Sequence, residues 1–143
     1  MLVAPSPSRL AFALALAAPA FAWAGQQFFG LQLVPLGLTR WAWVVVFGPM
    51  VEEAIFRLLL QAGIYERLRP VRLAGQLANV LTALAFALVH APQHGIIAVC
   101  WVLPALAIGE VWRRGGSWWL CVLLHAWFNI SLCWVSGAGW ILS

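Results

Sequence analysis

Residues 41–64 read WAWVVVFGPMVEEAIFRLLLQAGI, an apolar run with Glu52, Glu53 and Arg57 set into its middle. A bilayer crossing needs about 20 predominantly apolar residues. A charge at the centre of such a helix costs roughly 2.5–3.5 kcal/mol on insertion scales. Three charges inside one run are therefore a packing device or a functional centre. Glu53 and Arg57 are four apart, share a helix face and can pair. Glu52 lies about 100° around the helix from Glu53 and faces a different neighbour. The rest of the chain agrees with a membrane setting. Its 143 residues are 64% hydrophobic and 8% charged, against about 25% charged in a soluble domain. Mean hydropathy is +0.94. Ten tryptophans and eight phenylalanines exceed what a soluble core of this size can hide. Soluble globular, disordered and nucleic-acid-binding classes are excluded. The net charge of +4 comes with eight basic residues, all Arg, scattered between apolar runs rather than along one stripe.

Outward from this run, further apolar runs occupy Leu10–Ala24, Leu73–Ala91, about Gly95–Trp112 and about Trp118–Val135. The expected fold is all-α, a polytopic membrane helical bundle of about five transmembrane helices. It forms a single domain over 1–143 with its core at 41–135. Gly25–Arg40, broken by Gly30, Pro35 and Gly37, is expected to be interfacial or re-entrant. Ala22-Trp23-Ala24 resembles a signal-peptidase site, so 10–24 reads either as a retained helix or as a signal-like segment. Cys100, Cys121 and Cys133 lie inside apolar runs and read as small buried hydrophobes. Arg9, Arg67, Arg69, Arg72, Arg113 and Arg114 fall on one side of the five-span arrangement and Arg40 on the other. Cytoplasmic loops collect Arg, which puts the N-terminus inside and the C-terminus outside. The compact Arg-, Ala- and Trp-rich composition points to a bacterial inner membrane.

Further polar groups interrupt the apolar runs. Phe86 and His90 lie one turn apart on the third run, and His125 and Asn129 one turn apart on the fifth. Lipid offers polar side chains no partner, so each is interhelical glue or part of a site. His94, after Pro92, reads as a loop residue at the outer surface. Together these residues contain the parts of a hydrolytic centre. Glu52 with His90 can deprotonate water. His125 and Asn129 can hydrogen-bond a developing oxyanion. By helical rise, Glu52, His125 and Asn129 reach depths of roughly 17, 12 and 18 Å, near the bilayer centre, with His90 closer to the outer edge.

Glu52-Glu53-x-x-x-Arg57, Phe86-x-x-x-His90 and His125-x-x-x-Asn129, in this order on successive helices, resemble the CAAX-protease and bacteriocin-processing family of intramembrane glutamic proteases. Gly109 and the following Glu110-Val-Trp-Arg-Arg-Gly-Gly-Ser117 are similar to that family's third motif and the turn before its last catalytic helix. The resemblance covers about 47–132. It implies that Glu52 is the general base on water, assisted by His90. By the same resemblance His125 and Asn129 bind the oxyanion, and Glu53 with Arg57 are supporting. No cofactor and no metal are implied. The implied partners are the lipid bilayer and a membrane-associated peptide or C-terminal protein tail, with no nucleic acid.

Competing readings remain. His90, His94, His125 and Glu52 offer zinc-type donors, but Pro92 between His90 and His94 is expected to break their one-turn geometry. A serine protease is weaker, because Ser117 fits a helix N-cap before Trp118. A non-proteolytic immunity or partner protein would keep the same fold. An ion pathway through the glutamates and histidines is a further reading, although no pseudo-symmetric halves are visible.

Overall fold

The computed structural model describes residues 5–29 and 37–135. They are almost entirely helical, with no strand among them. Five helical rods follow one another: α1 (Pro7–Phe29), α2 (38–68), α3 (Ala74–His94), α4 (Val102–Arg113) and α5 (Trp118–Val135). A 3-10 segment, Gly95–Trp101, joins α3 to α4. Three stretches are long and apolar enough to cross a membrane: Pro7–Phe28, the 40-residue Ala74–Arg113, and Trp118–Val135. The charged rod α2 is not among them. The 40-residue stretch is a hairpin. The chain reverses at Gly95, whose φ of 60° favours glycine, and α3 packs along α4. Asn79 on α3 donates to the Leu106 carbonyl on α4, and Phe86 and Ala105 share one apolar cluster between the two helices.

Two apolar clusters hold the rods together. Ala11, Ile108, Val111, Cys121 and Leu124 join α1, α4 and α5. Phe56, Ala83, Phe86 and Ala105 join α2, α3 and α4. Along α1 the buried residues are Ala11, Ala18 and Ala22, one small-residue stripe that lets the helices approach closely. The outer surface is apolar as well: Phe12, Leu16, Trp23, Leu59, Leu88, Leu123 and Trp134 are all more than half exposed. A water-facing surface would not carry these side chains; lipid accepts them.

Several boundaries differ from the sequence expectation. The first helix runs to Phe29, five residues beyond Ala24, so 25–29 are helical rather than interfacial. Leu38–Arg40 begin α2, while 30–36 lie outside the described residues. Pro92 sits inside α3 without ending it, and His94 is the last residue of that helix rather than a loop residue. A proline this close to a helix end strips only the Leu88 carbonyl of its partner. Ser117 does cap α5, accepting from the Leu120 N–H at 3.2 Å.

The rod α2 contains two widened turns with π-type bonding, Trp43–Phe47 and Ala54–Gln61. Such turns concentrate at functional sites. In the first, the Gly48 N–H bonds the Trp43 carbonyl. The next carbonyl, Val44, would need the N–H of Pro49, which proline lacks. Asn129 on α5 supplies the missing donor, its Nδ2 lying 2.8 Å from the Val44 oxygen. Pro19 in α1 is accommodated in the same way. It deprives the Ala15 carbonyl of its i+4 donor, and Trp127 on α5 donates to that oxygen at 2.8 Å. Neighbouring helices commonly re-satisfy carbonyls freed by proline in membranes. Here both repairs come from one helix, which ties α1 and α2 to α5.

Candidate active site

A buried polar row crosses the bundle from α4 to α2 and α5. Glu53 and Arg57 are both fully buried, and Arg57 Nε donates to Glu53 Oε2 at 2.8 Å. Arg57 spends its remaining nitrogens on Gln61 Oε1 (2.9 Å) and the Ala105 carbonyl (3.1 Å). Gln61 in turn donates to the Gly109 carbonyl at 3.0 Å. Glu53, Arg57 and Gln61 recur every four residues, and the widened turn keeps that spacing on one stripe. The other oxygen of Glu53, Oε1, meets His125 Nδ1 at 2.7 Å. The second ring nitrogen, Nε2, lies 3.6 Å from Glu52 Oε2. His125 therefore stands between the two adjacent glutamates, and Glu53 fixes which ring nitrogen faces Glu52.

The two carboxylates have different environments. Glu53 has no exposed surface and both its oxygens are committed, whereas the Glu52 side chain is 31% exposed. His125 and His90 both lie within Coulombic range of Glu52. His90 Nδ1 is 2.7 Å from the Phe86 carbonyl. A carbonyl only accepts, so Nδ1 carries the proton and Nε2 stays available. The Phe86 ring separates the two histidines, 4.4 Å from His90 and 5.8 Å from His125 between centroids. Asn129 spends one amide hydrogen on Val44 and keeps the other. Glu52, Glu53, Arg57, His90, His125 and Asn129 are thus gathered from three helices around one region. His94 stacks beyond His90 at 6.3 Å and points toward Trp101. Among the described residues, no three His, Cys, Asp or Glu side chains converge as metal ligands.

An apolar cavity of about 650 Å³ opens onto this row. Leu14, Ala18 and Phe21 of α1 line it together with Glu53, Arg57, His125 and Asn129, whereas Glu52 and His90 do not. The profile of proteins described as Rce1-like, type II CAAX prenyl endopeptidases, matches residues 33–131. The chain belongs to this family. No curated protein and no solved structure matches it. The match spans more than two thirds of the chain and includes every residue of the row. The chain is accordingly an integral membrane protein of a CAAX protease-type endopeptidase family.

The sequence reading missed Gln61 and Asn79. Gln61 continues the Glu53–Arg57 spacing by one more step, a signal that was present. Asn79 has no such signal. Gly109 matters through close approach: a Cβ there would run into the Asn79 side chain and lie 2.8 Å from Arg57 Nη1. Only glycine lets α4 pack this close to the guanidinium.

Proposed function

We propose that the chain is an intramembrane glutamic endopeptidase that cleaves a membrane-associated peptide or a C-terminal protein tail. The observation that carries this reading is the division of labour between adjacent glutamates: Glu53 is consumed by Arg57 and His125, which leaves Glu52 as the accessible carboxylate. Glu52 and the free Nε2 of His90 hold a water and Glu52 takes its proton as the water attacks the scissile carbonyl. With a proton on both ring nitrogens of His125, the row Arg57, Glu53, His125, Glu52 alternates in charge and sums to zero. That balance suits a low-dielectric site. The Nε2–H of His125 and the spare amide hydrogen of Asn129 then face the developing oxyanion. Glu52 returns its proton to the leaving amine.

The Arg distribution supports a cytoplasmic N-terminus and an outside C-terminus. The two ends of that pattern meet in space, since Arg114 donates to the Pro5 carbonyl and a Cβ on Gly75 would touch Arg113. In a bacterial inner membrane the substrate is a peptide precursor or an anchored tail. The test is steady-state cleavage of a reporter tail by purified protein. Asn129→Ala and His125→Ala should each lower kcat by on the order of 100- to 1000-fold. Substrate affinity should change much less, because the oxyanion exists only near the transition state. Full activity in both variants would overturn the oxyanion assignment.

A further inference from the structure

Arg57 presents five N–H groups inside the bundle. Three are accounted for: Nε donates to Glu53, Nη1 to Gln61 and Nη2 to the Ala105 carbonyl, with no part of the side chain exposed. One hydrogen remains on each Nη nitrogen. The face of α3 that packs on α2 and α4 carries polar groups of its own. Phe86 on this face meets Phe56 at 4.9 Å between centroids, and Thr82 and Asn79 lie one and two turns before it. Thr82 has no exposed surface and Asn79 is 6% exposed. Asn79 Nδ2 lies 3.1 Å from the Leu106 carbonyl. A carbonyl only accepts, so the amide nitrogen is the end held there and Oδ1 points away from it. A Cβ on Gly109 would overlap Asn79 Oδ1 and lie 2.8 Å from Arg57 Nη1. The amide oxygen and the guanidinium thus face one another across the bare Cα of Gly109. Neither Asn79 Oδ1 nor Thr82 Oγ1 has a hydrogen-bond partner within the chain, although both atoms are buried. Buried polar atoms in folded proteins are almost always paired, and lipid hydrocarbon supplies no partner.

We propose that Asn79 and Thr82 are positioning residues that hold one water against Arg57, and that this water keeps the guanidinium aligned on Glu53 and so fixes His125. The pair has the right reach. Side chains three apart on a helix have Cβ atoms about 5–6 Å apart, and a water bridging two oxygens at about 2.8 Å each spans that gap. A buried water typically makes about three hydrogen bonds. This one donates to Asn79 Oδ1, shares a hydrogen bond with Thr82 Oγ1 and accepts the spare Nη1–H of Arg57. Its influence reaches the candidate site along two bonds, Arg57 to Glu53 at 2.8 Å and Glu53 to His125 at 2.7 Å. Glu53, Gln61 and the Ala105 carbonyl hold the guanidinium from α2 and α4. The water adds a hold from α3, the helix that also carries His90. It thereby couples the helix bearing His90 to the row that orients His125. The kinetic consequence rests on the proteolytic reading of Glu52; the water site itself does not.

The experiment reads the water and the reaction separately. The chain has two threonines, Thr39 and Thr82, so full-length protein with isotope-labelled threonine methyls gives two methyl signals in detergent, and Thr82→Val assigns them. The Thr82 methyl should show a nuclear Overhauser contact to a slowly exchanging water. Thr82→Val keeps the side-chain shape and removes the hydroxyl. It should shift the downfield proton resonance of His125 Nδ1, which is shared with Glu53. It should also lower kcat for tail-peptide cleavage by on the order of tenfold with little change in KM. Thr82→Ser, which keeps the hydroxyl, should restore the His125 signal and kcat. Asn79→Leu combined with Thr82→Val should be less than additive, because both residues hold one water. The proposal is overturned by the lack of a water contact at Thr82, or by an unchanged His125 signal or kcat in Thr82→Val. Equal losses in Thr82→Val and Thr82→Ser, or full additivity with Asn79→Leu, also overturn it and reduce Thr82 to packing. The water contact and the His125 shift, found with a wild-type protein that cleaves nothing, support the water site and refute proteolysis.

Discussion

Replacing Glu53 by Gln separates the roles of the two glutamates. The substitution is nearly isosteric, so packing is preserved and the change is electrostatic. Arg57 loses the anion 2.8 Å from its Nε and keeps only neutral acceptors, Gln61 Oε1 and the Ala105 carbonyl. His125 loses its charged partner at Nδ1. Removing one member of a fully buried pair leaves an uncompensated charge and typically costs about 3–5 kcal/mol. The exposed pair Arg69–Glu66 provides the control, since its side chains are 69% and 59% exposed and such pairs contribute about 0–1 kcal/mol. In a detergent thermal-shift assay, Glu53→Gln should lower Tm by on the order of 10 °C. Glu66→Gln and Glu52→Gln should stay close to wild type. A larger loss in Glu52→Gln than in Glu53→Gln would refute the assignment of Glu53 as structural anchor and Glu52 as the free carboxylate.

Other substitutions test neighbouring parts of the row. Gly109→Ala should reduce folded yield, because the new methyl meets Asn79 and Arg57, and a circular-dichroism melt would register the loss. Gln61→Leu should lower kcat more than it raises KM while leaving a folded protein, since it frees the Arg57 fork that orients Glu53. Gln61→Glu, which preserves the acceptor, should recover part of that loss. Reporter fusions after Ser143 should report an outside C-terminus; a cytoplasmic signal would reject the five-crossing arrangement.

The helices with strong apolar runs were legible in the sequence. Trp118–Val135 matches its run at both ends, and α3 starts at Ala74, one residue after its run begins. The Glu53–Arg57 pair was legible too, because one-turn spacing is a local property. Contacts between distant segments were not. His125 lies 72 residues from Glu53, and its position between two carboxylates depends on how α5 docks on α2. The partner of Asn129 depends on a widened turn and on Pro49, eleven residues after the start of a helix that the sequence pattern treats as regular. Pro92 misled for a related reason. A proline disrupts a helix most in its interior, and two residues before the end of α3 it does not stop the last turn.

The central claim is that Glu52 activates water. Its most direct test is the rate of tail-peptide cleavage by purified wild-type and Glu52→Gln proteins of matched thermal stability, each with and without a chelator. Removal of a general base should slow turnover by about 100- to 10,000-fold, and chelation should change neither protein. Undiminished cleavage by Glu52→Gln, or wild-type activity lost on chelation and restored by zinc, would contradict the account.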